Sequence, residues 1–134
     1  MKRRTAHLGV ASLVALVAAL AAVSAQAPAV KRTMLQQGDL SVSGREAIMG
    51  KAEFPAGGGT TGRHSHPGDE ISYVLEGSVR LEIDGEKPRT LKAGDYFMVT
   101  NGKIHNAVNV GPGTATVLAT YVVEKGKPLA TPAK

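Results

Sequence analysis

Beyond residue 44, apolar residues come only in short runs, each stopped by a cluster of Gly, Pro or Asp before a core helix could be completed. The runs are Ala47 to Phe54, Ile71 to Leu75, Val79 to Ile83, Tyr96 to Val99, Ile104 to Val110 and Thr114 to Val123, and their length and content read as strands. Val79, Leu81 and Ile83 alternate with Arg80 and Glu82, the pattern of a half-buried strand. Asp84-Gly85 follows at once, the dipeptide a tight type I′ hairpin favours. Pro55 to Gly59, Ala93-Gly94-Asp95 and Gly111-Pro112-Gly113 mark further turns. No helical stripe of useful length appears. Many short strands with regular turns predict an all-β fold, a sandwich or small barrel rather than a layered α/β architecture. The barrel is expected over residues 45–124, preceded by an arm or edge strand over 26–44. Residues 125–134, with Pro128 and Pro132, are expected to form a loose tail.

The first residues have another character. Lys2, Arg3 and Arg4 are followed by an Ala-, Leu- and Val-rich run from Leu8 to Val23 and then by small residues, Ser24 and Ala25. That order reads as a signal peptide over residues 1–25, and the run is short for a membrane-spanning helix. Cleavage after Ala27 would leave Pro28 at the new terminus, so the cut is placed after Ala25. Arg3-Arg4 only weakly resembles a twin-arginine signal, because Ala6 and His7 stand where hydrophobic residues belong. The mature protein is therefore expected to be exported, periplasmic or secreted, with no stable membrane insertion after cleavage. Taking Lys2, Arg3 and Arg4 from the 16 basic side chains leaves thirteen against 11 acidic ones. With so small an excess and only 4% aromatic residues, nothing points to nucleic acid. The chain has no cysteine, which excludes disulfide staples, thiolate ligands and a thiol nucleophile. What remains after cleavage is enough for one domain with a modest core.

The chemistry concentrates in Arg63-His64-Ser65-His66-Pro67-Gly68-Asp69-Glu70. In an extended strand alternate side chains share a face, so His64 and His66 present two imidazoles to one point. Pro67-Gly68 breaks the strand, and a new strand after it returns Glu70 toward the same point. Parity favours Glu70 over Asp69 as the carboxylate, because Asp69 would face outward. His105 is the remaining histidine of the mature chain. Together His64, His66, Glu70 and His105 read as ligands of one divalent transition metal, Fe, Mn, Ni, Cu or Zn. Such ligand-type groups converging in a barrel would otherwise be costly to bury. Asn109 either lines the cavity or, slightly favoured, bonds a turn. Tyr96, Met98, Ile104 and Tyr121 are candidate pocket walls or plain core. Arg63 is either a clamp for an anionic ligand or a solvated charge.

These residues resemble the cupin family. Gly58, His64-Ser65-His66, Glu70 and Gly77 match every fixed position of its first motif, and the run Tyr73-Val74-Leu75-Glu76-Gly77 is common there. Gly94, Gly102, His105 and Asn109 match the second motif, with Thr100 where the family usually has proline. That departure touches the rigidity of a turn and not a ligand. The resemblance spans about Ala47 to Val123 and implies a small antiparallel jelly-roll barrel with metal ligands at His64, His66, Glu70 and His105. Three imidazoles and one carboxylate fill four positions of an octahedron and leave two adjacent ones for water, dioxygen or a bidentate substrate. By likeness to cupin dioxygenases, the first functional reading is oxidative cleavage of a small enol, diketone or polyphenol. A metal-dependent lyase or isomerase on a small acid is the second, and a non-catalytic protein holding a metal or small molecule the third. Cupins commonly form homodimers, and Ile71, Tyr73 and Leu75 are the apolar surface expected to be covered if they face outward.

Overall fold

The computed structural model describes residues 26–134. The segment read as a signal peptide, residues 1–25, lies outside the described residues. Ten strands follow in order: β1 Lys31–Asp39, β2 Arg45–Phe54, β3 His64–Ser65, β4 Gly68–Glu76, β5 Ser78–Ile83, β6 Arg89–Lys92, β7 Tyr96–Val99, β8 His105–Asn109, β9 Ala115–Glu124 and β10 Thr131–Pro132. They form two five-stranded sheets, in the orders β1-β2-β9-β4-β7 and β10-β3-β8-β5-β6, and every strand pair is antiparallel. Among the described residues there is no helix, and so none long and apolar enough to cross a membrane. The fold is all-β, as the punctuation of the sequence predicts.

The two sheets face each other across a core of Phe54, Val74, Val79, Leu81, Ile83, Phe97, Val99, Ala107, Ala115 and Val117. Burial alternates along β4, β5, β7 and β8, so β4 turns Glu70, Ser72 and Val74 inward and Ile71, Tyr73 and Leu75 outward. The interior thus changes character along its length. Val74 and Val79 form an apolar end, whereas Glu70 on β4 and His105 on β8 make the other end polar.

Three local features differ from the sequence reading. β4 starts at Gly68, ahead of Ile71, because glycine lets the backbone of β9 come close: a Cβ at Gly68 would stand 2.1 Å from the Val122 carbonyl oxygen. Gly77, with φ of 74°, turns β4 into β5 against Ala115, where a Cβ would meet the Ala115 Cα at 2.8 Å. β6 was not expected, since of Arg89, Thr90, Leu91 and Lys92 only Leu91 is buried and one inward residue makes no pattern.

The tail is the third difference and a correction. Residues expected to be loose carry β10, which pairs Thr131 with Ser65 and Pro132 with His64. The Ala133 amide donates to the Arg63 carbonyl at 2.9 Å. Backbone hydrogen bonds hold this segment, and these leave no trace in side-chain composition.

Candidate metal centre

β3 is only two residues long, yet it sits between β8 and β10, and His64 lies directly across from His105. His66 follows β3 at a kink. The kink is fixed on both sides, by the Gly102 amide donating to the His66 carbonyl at 3.0 Å and the Glu124 amide donating to the Pro67 carbonyl at 3.0 Å. Chain direction is thereby kept in phase, and Glu70 returns to the face that carries the histidines. Asp69 points the other way and accepts the Asn101 amide at 2.9 Å, holding the 100–103 turn that runs into His105.

The three rings stack around one point, with centroids 4.7 Å apart for His64 and His66, 4.3 Å for His64 and His105, and 5.1 Å for His66 and His105. Their candidate ligand nitrogens all lie within 4.8 Å of one another. Glu70 Oε2 lies 3.2 Å from His66 Nε2 and 3.1 Å from His105 Nε2. All four residues are buried, between 3% and 8% exposed, so bulk water does not screen them.

The backbone fixes how the rings are protonated. His64 Nδ1 lies 2.8 Å from the Gly62 carbonyl, His66 Nδ1 2.6 Å from the Leu129 carbonyl and His105 Nδ1 3.0 Å from the Lys103 carbonyl. A carbonyl only accepts, so each Nδ1 carries a proton, and a ring that is neutral turns the lone pair of Nε2 inward. His64 Nε2 and His66 Nε2 then face each other at 3.2 Å with no hydrogen between them. Glu70 adds a fourth acceptor. With all three rings neutral, four acceptors meet and repel one another, and a cation at their centre satisfies all four. Ligand bonds of about 2.0–2.2 Å meeting near a right angle separate the ligand atoms by about 3 Å, the spacing found for His64–His66, His66–Glu70 and His105–Glu70. The buried His64, His66 and His105 cluster therefore fits a single metal site.

In the metal-free protein a proton on Nε2 takes the place of that cation between an imidazole and Glu70. Burial alone would raise the Glu70 carboxyl, but hydrogen bonds from His105, His66 and Ser72 outweigh it and hold it near 2. Burial lowers His64 to about 4, because a charged ring there loses its hydration. Burial also opposes a charge on His105, but the hydrogen bond to Glu70 prevails and raises it. Tyr121, opposite Glu70 in the β4–β9 register, has its ring 4.7 Å from that of His66. Burial and then the Glu70 charge push its phenol upward.

Of the other candidates, Asn109 ties turns together. Its amide donates to the Phe54, Pro55 and Gly113 carbonyls, and its oxygen accepts the Gly111 amide. Arg63 makes a two-pronged ion pair with Asp84, at 2.8 Å and 2.9 Å, on the outer surface. Tyr96 and Met98 are not pocket walls, because the alternation of β7 turns them to the outside with Phe97 and Val99 inward. Ile104 is half-buried. Two contributors were missed. Ser72, buried, donates to Glu70 Oε1 at 2.7 Å, and strand parity placed it two residues along on the same face. The Leu129 carbonyl had no signal at all, being main chain.

The family model described as "Cupin domain" matches residues 50–123. The pectin degradation protein KdgF of Dickeya dadantii strain 3937 is 39% identical over 49 residues, 37% of this chain and 44% of KdgF. The chain spans about half the length of the curated relatives it matches. Among solved structures, a cupin superfamily protein from Desulfitobacterium hafniense DCB-2 superposes with a TM-score of 0.60 at 22% identity, over 76% of this chain and 84% of that one. An oxalate oxidase in complex with the substrate analogue glycolate superposes with a TM-score of 0.56 at 27% identity, over 63% of this chain and 45% of that one. The two antiparallel sheets are those of the jelly-roll barrel.

Proposed function

Since this chain belongs to the cupin family, we propose that it is a metal-dependent, dioxygenase-like enzyme acting on a small oxygenated acid or enol, with one divalent transition metal held by His64, His66, Glu70 and His105. The observation that carries this reading is the convergence of Glu70 with three imidazoles whose Nδ1 protons the main chain has already placed. A bound ion would supply Lewis acidity toward a chelating substrate and, where it is redox-active, a path for electrons to dioxygen. The chain's own residues do the rest. Ser72 orients Glu70, the apolar layer of Val74, Val99 and Ile83 excludes water from behind the site, and the Tyr121 phenol stays protonated beside it as a hydrogen-bond donor. The likeness to an oxalate oxidase holding glycolate supports a two-oxygen acid as the substrate class.

A second reading, a lyase or isomerase in which the metal acts only as Lewis acid, is favoured by the likeness to a pectin degradation protein, which points to small sugar-derived acids. A non-catalytic metal- or small-molecule-binding protein is the third. One experiment separates the three. Protein purified from its native compartment is analysed for metal, then assayed with that metal on small enols, phenols, keto acids and uronic acids with oxygen consumption recorded. Turnover with oxygen uptake is expected. Turnover without uptake replaces this reading by the second, and no turnover at full metal occupancy by the third.

We also propose that the protein works outside the cytoplasm, on the support of Lys2 to Ala25, and as a homodimer, on the support of the apolar outer face of β4 and β7.

A further inference from the structure

The chain leaves β9 in one sheet and enters β10 in the other, so residues 125–130 cross between the sheets beside the metal centre. Gly126, with φ of 80°, makes the turn that starts this crossing. Three groups of contacts dock the segment. The Leu129 carbonyl accepts from His66 Nδ1 at 2.6 Å, β10 pairs with β3 at Ser65 and His64, and the Ala133 amide donates to the Arg63 carbonyl. Arg63 Nε in turn donates to the Lys134 backbone oxygen at 3.2 Å. Every one of these partners lies within Arg63 to His66, the stretch that carries two of the clustered histidines. Pro128, Ala130, Thr131 and Pro132 are exposed.

His64 and His105 are oriented differently. Their carbonyl partners, Gly62 and Lys103, stand two residues away along the chain, just ahead of β3 and β8, so those rings are set by the local path of the chain. His66 borrows its partner from a segment 63 residues distant. Its tautomer and direction therefore depend on whether that segment is docked.

We propose that residues 128–134 are a strap whose docking sets the metal affinity of the centre, with Leu129 as the positioning residue of His66. The inference rests on the reading of His64, His66, Glu70 and His105 as metal ligands. Undocked, His66 can place its proton on either nitrogen and turn about its side-chain bonds, so metal binding must restore an order the strap otherwise supplies in advance. Orienting partners of ligating histidines typically change metal affinity by about 10–100-fold. Coupling is reciprocal, so bound metal must hold the strap down by the same factor that the strap tightens the metal.

The test compares the full chain with two variants, one ending at Lys127 and one carrying Ala133→Pro, which removes the amide that closes the strap onto Arg63. Zinc and manganese are the probes, and affinity is measured by competition with a chelator at a temperature where circular dichroism shows all three folded. Both variants are expected to bind about 10–100-fold more weakly. In the metal-free proteins, imidazole nitrogen NMR is expected to show His66 protonated on Nδ1 in the full chain and averaged between tautomers in the variants, with His64 and His105 unchanged. A merely structural tail would lower stability without that selective change. Metal should also slow hydrogen exchange at the Ala133 amide. Variants that bind within twofold of the full chain, or a His66 tautomer indifferent to them, overturn the strap. A full chain that binds neither metal overturns the metal reading itself, a result distinct from either of those.

Discussion

Glu70 is the side chain on which the centre turns, since it is the anion among four acceptors and touches two of the three imidazoles. Glu70→Gln keeps the shape and removes the charge, and metal affinity measured by chelator competition is expected to fall at least tenfold, in the range of about 10–100-fold or beyond. Ser72→Ala frees Oε1 from its 2.7 Å partner and is expected to weaken binding by about tenfold with little change in fold. Acid acts on the metal-free protein through groups of opposite sign. His64 is depressed to about 4, so its contribution to stability is present above its unfolded value near 6.5 and is lost as pH falls toward 4. His105 is raised, so its contribution is full below about 6.5 and fades as pH rises through the folded value. His64→Ala should therefore flatten the acid-side loss of stability between about pH 6.5 and pH 4, and His105→Ala should remove the alkaline-side loss. Thermal melts from about pH 4 up through the alkaline side of about 6.5 check both. The four ligand-type residues were legible from spacing because side chains follow strand parity. Leu129 was not, because its role belongs to a carbonyl that every residue possesses.

Among the strands, β5 was the plainest in sequence and lies at the heart of the core, with Val79 and Leu81 essentially unexposed. Leu81→Ala is expected to destabilise the fold by about 2–5 kcal/mol, read from denaturant midpoints. β2, β7, β8 and β9 were equally visible, since their apolar residues alternate or run unbroken between turn signals. β6 and β10 were not. Each is short and exposed, formed because a neighbouring strand offers unpaired backbone groups and not because its own side chains demand it. β1 is an intermediate case: all nine residues are exposed, including Met34 and Leu35, and β2 is its only partner in the sheet. It stands at the edge of its sheet, paired with β2.

The molecule as a whole keeps a polar interior at one end and an apolar exterior on one sheet. Tyr73 pairs with Tyr96 and Ile71 with Met98 across β4 and β7, and all four side chains face outward, with Leu75 alongside. Contiguous apolar surface of this kind marks an interface more often than bare solvent. A homodimer covering about 800 Å² on each subunit is expected, and light scattering should give twice the chain mass at micromolar concentration. Ile71→Glu together with Tyr96→Lys should return monomers that still bind metal, since neither residue touches the centre. A monomer mass for the unmodified chain at every concentration would reject the dimer.

The three imidazoles share one habit, each giving its outer proton to a main-chain oxygen and none to an acidic side chain. A carboxylate in that place could be lost by a single substitution, but a peptide carbonyl survives any change of its own side chain. Position 62 keeps its glycine for a φ of 71°, but the residues at 103 and 129 are free to drift so long as the local path of the chain persists. Related sequences can therefore differ at these orienting positions while the ring geometry is inherited intact. Loss of the centre over evolutionary time should come through the ligands themselves, or through insertions and deletions that displace the main chain behind them.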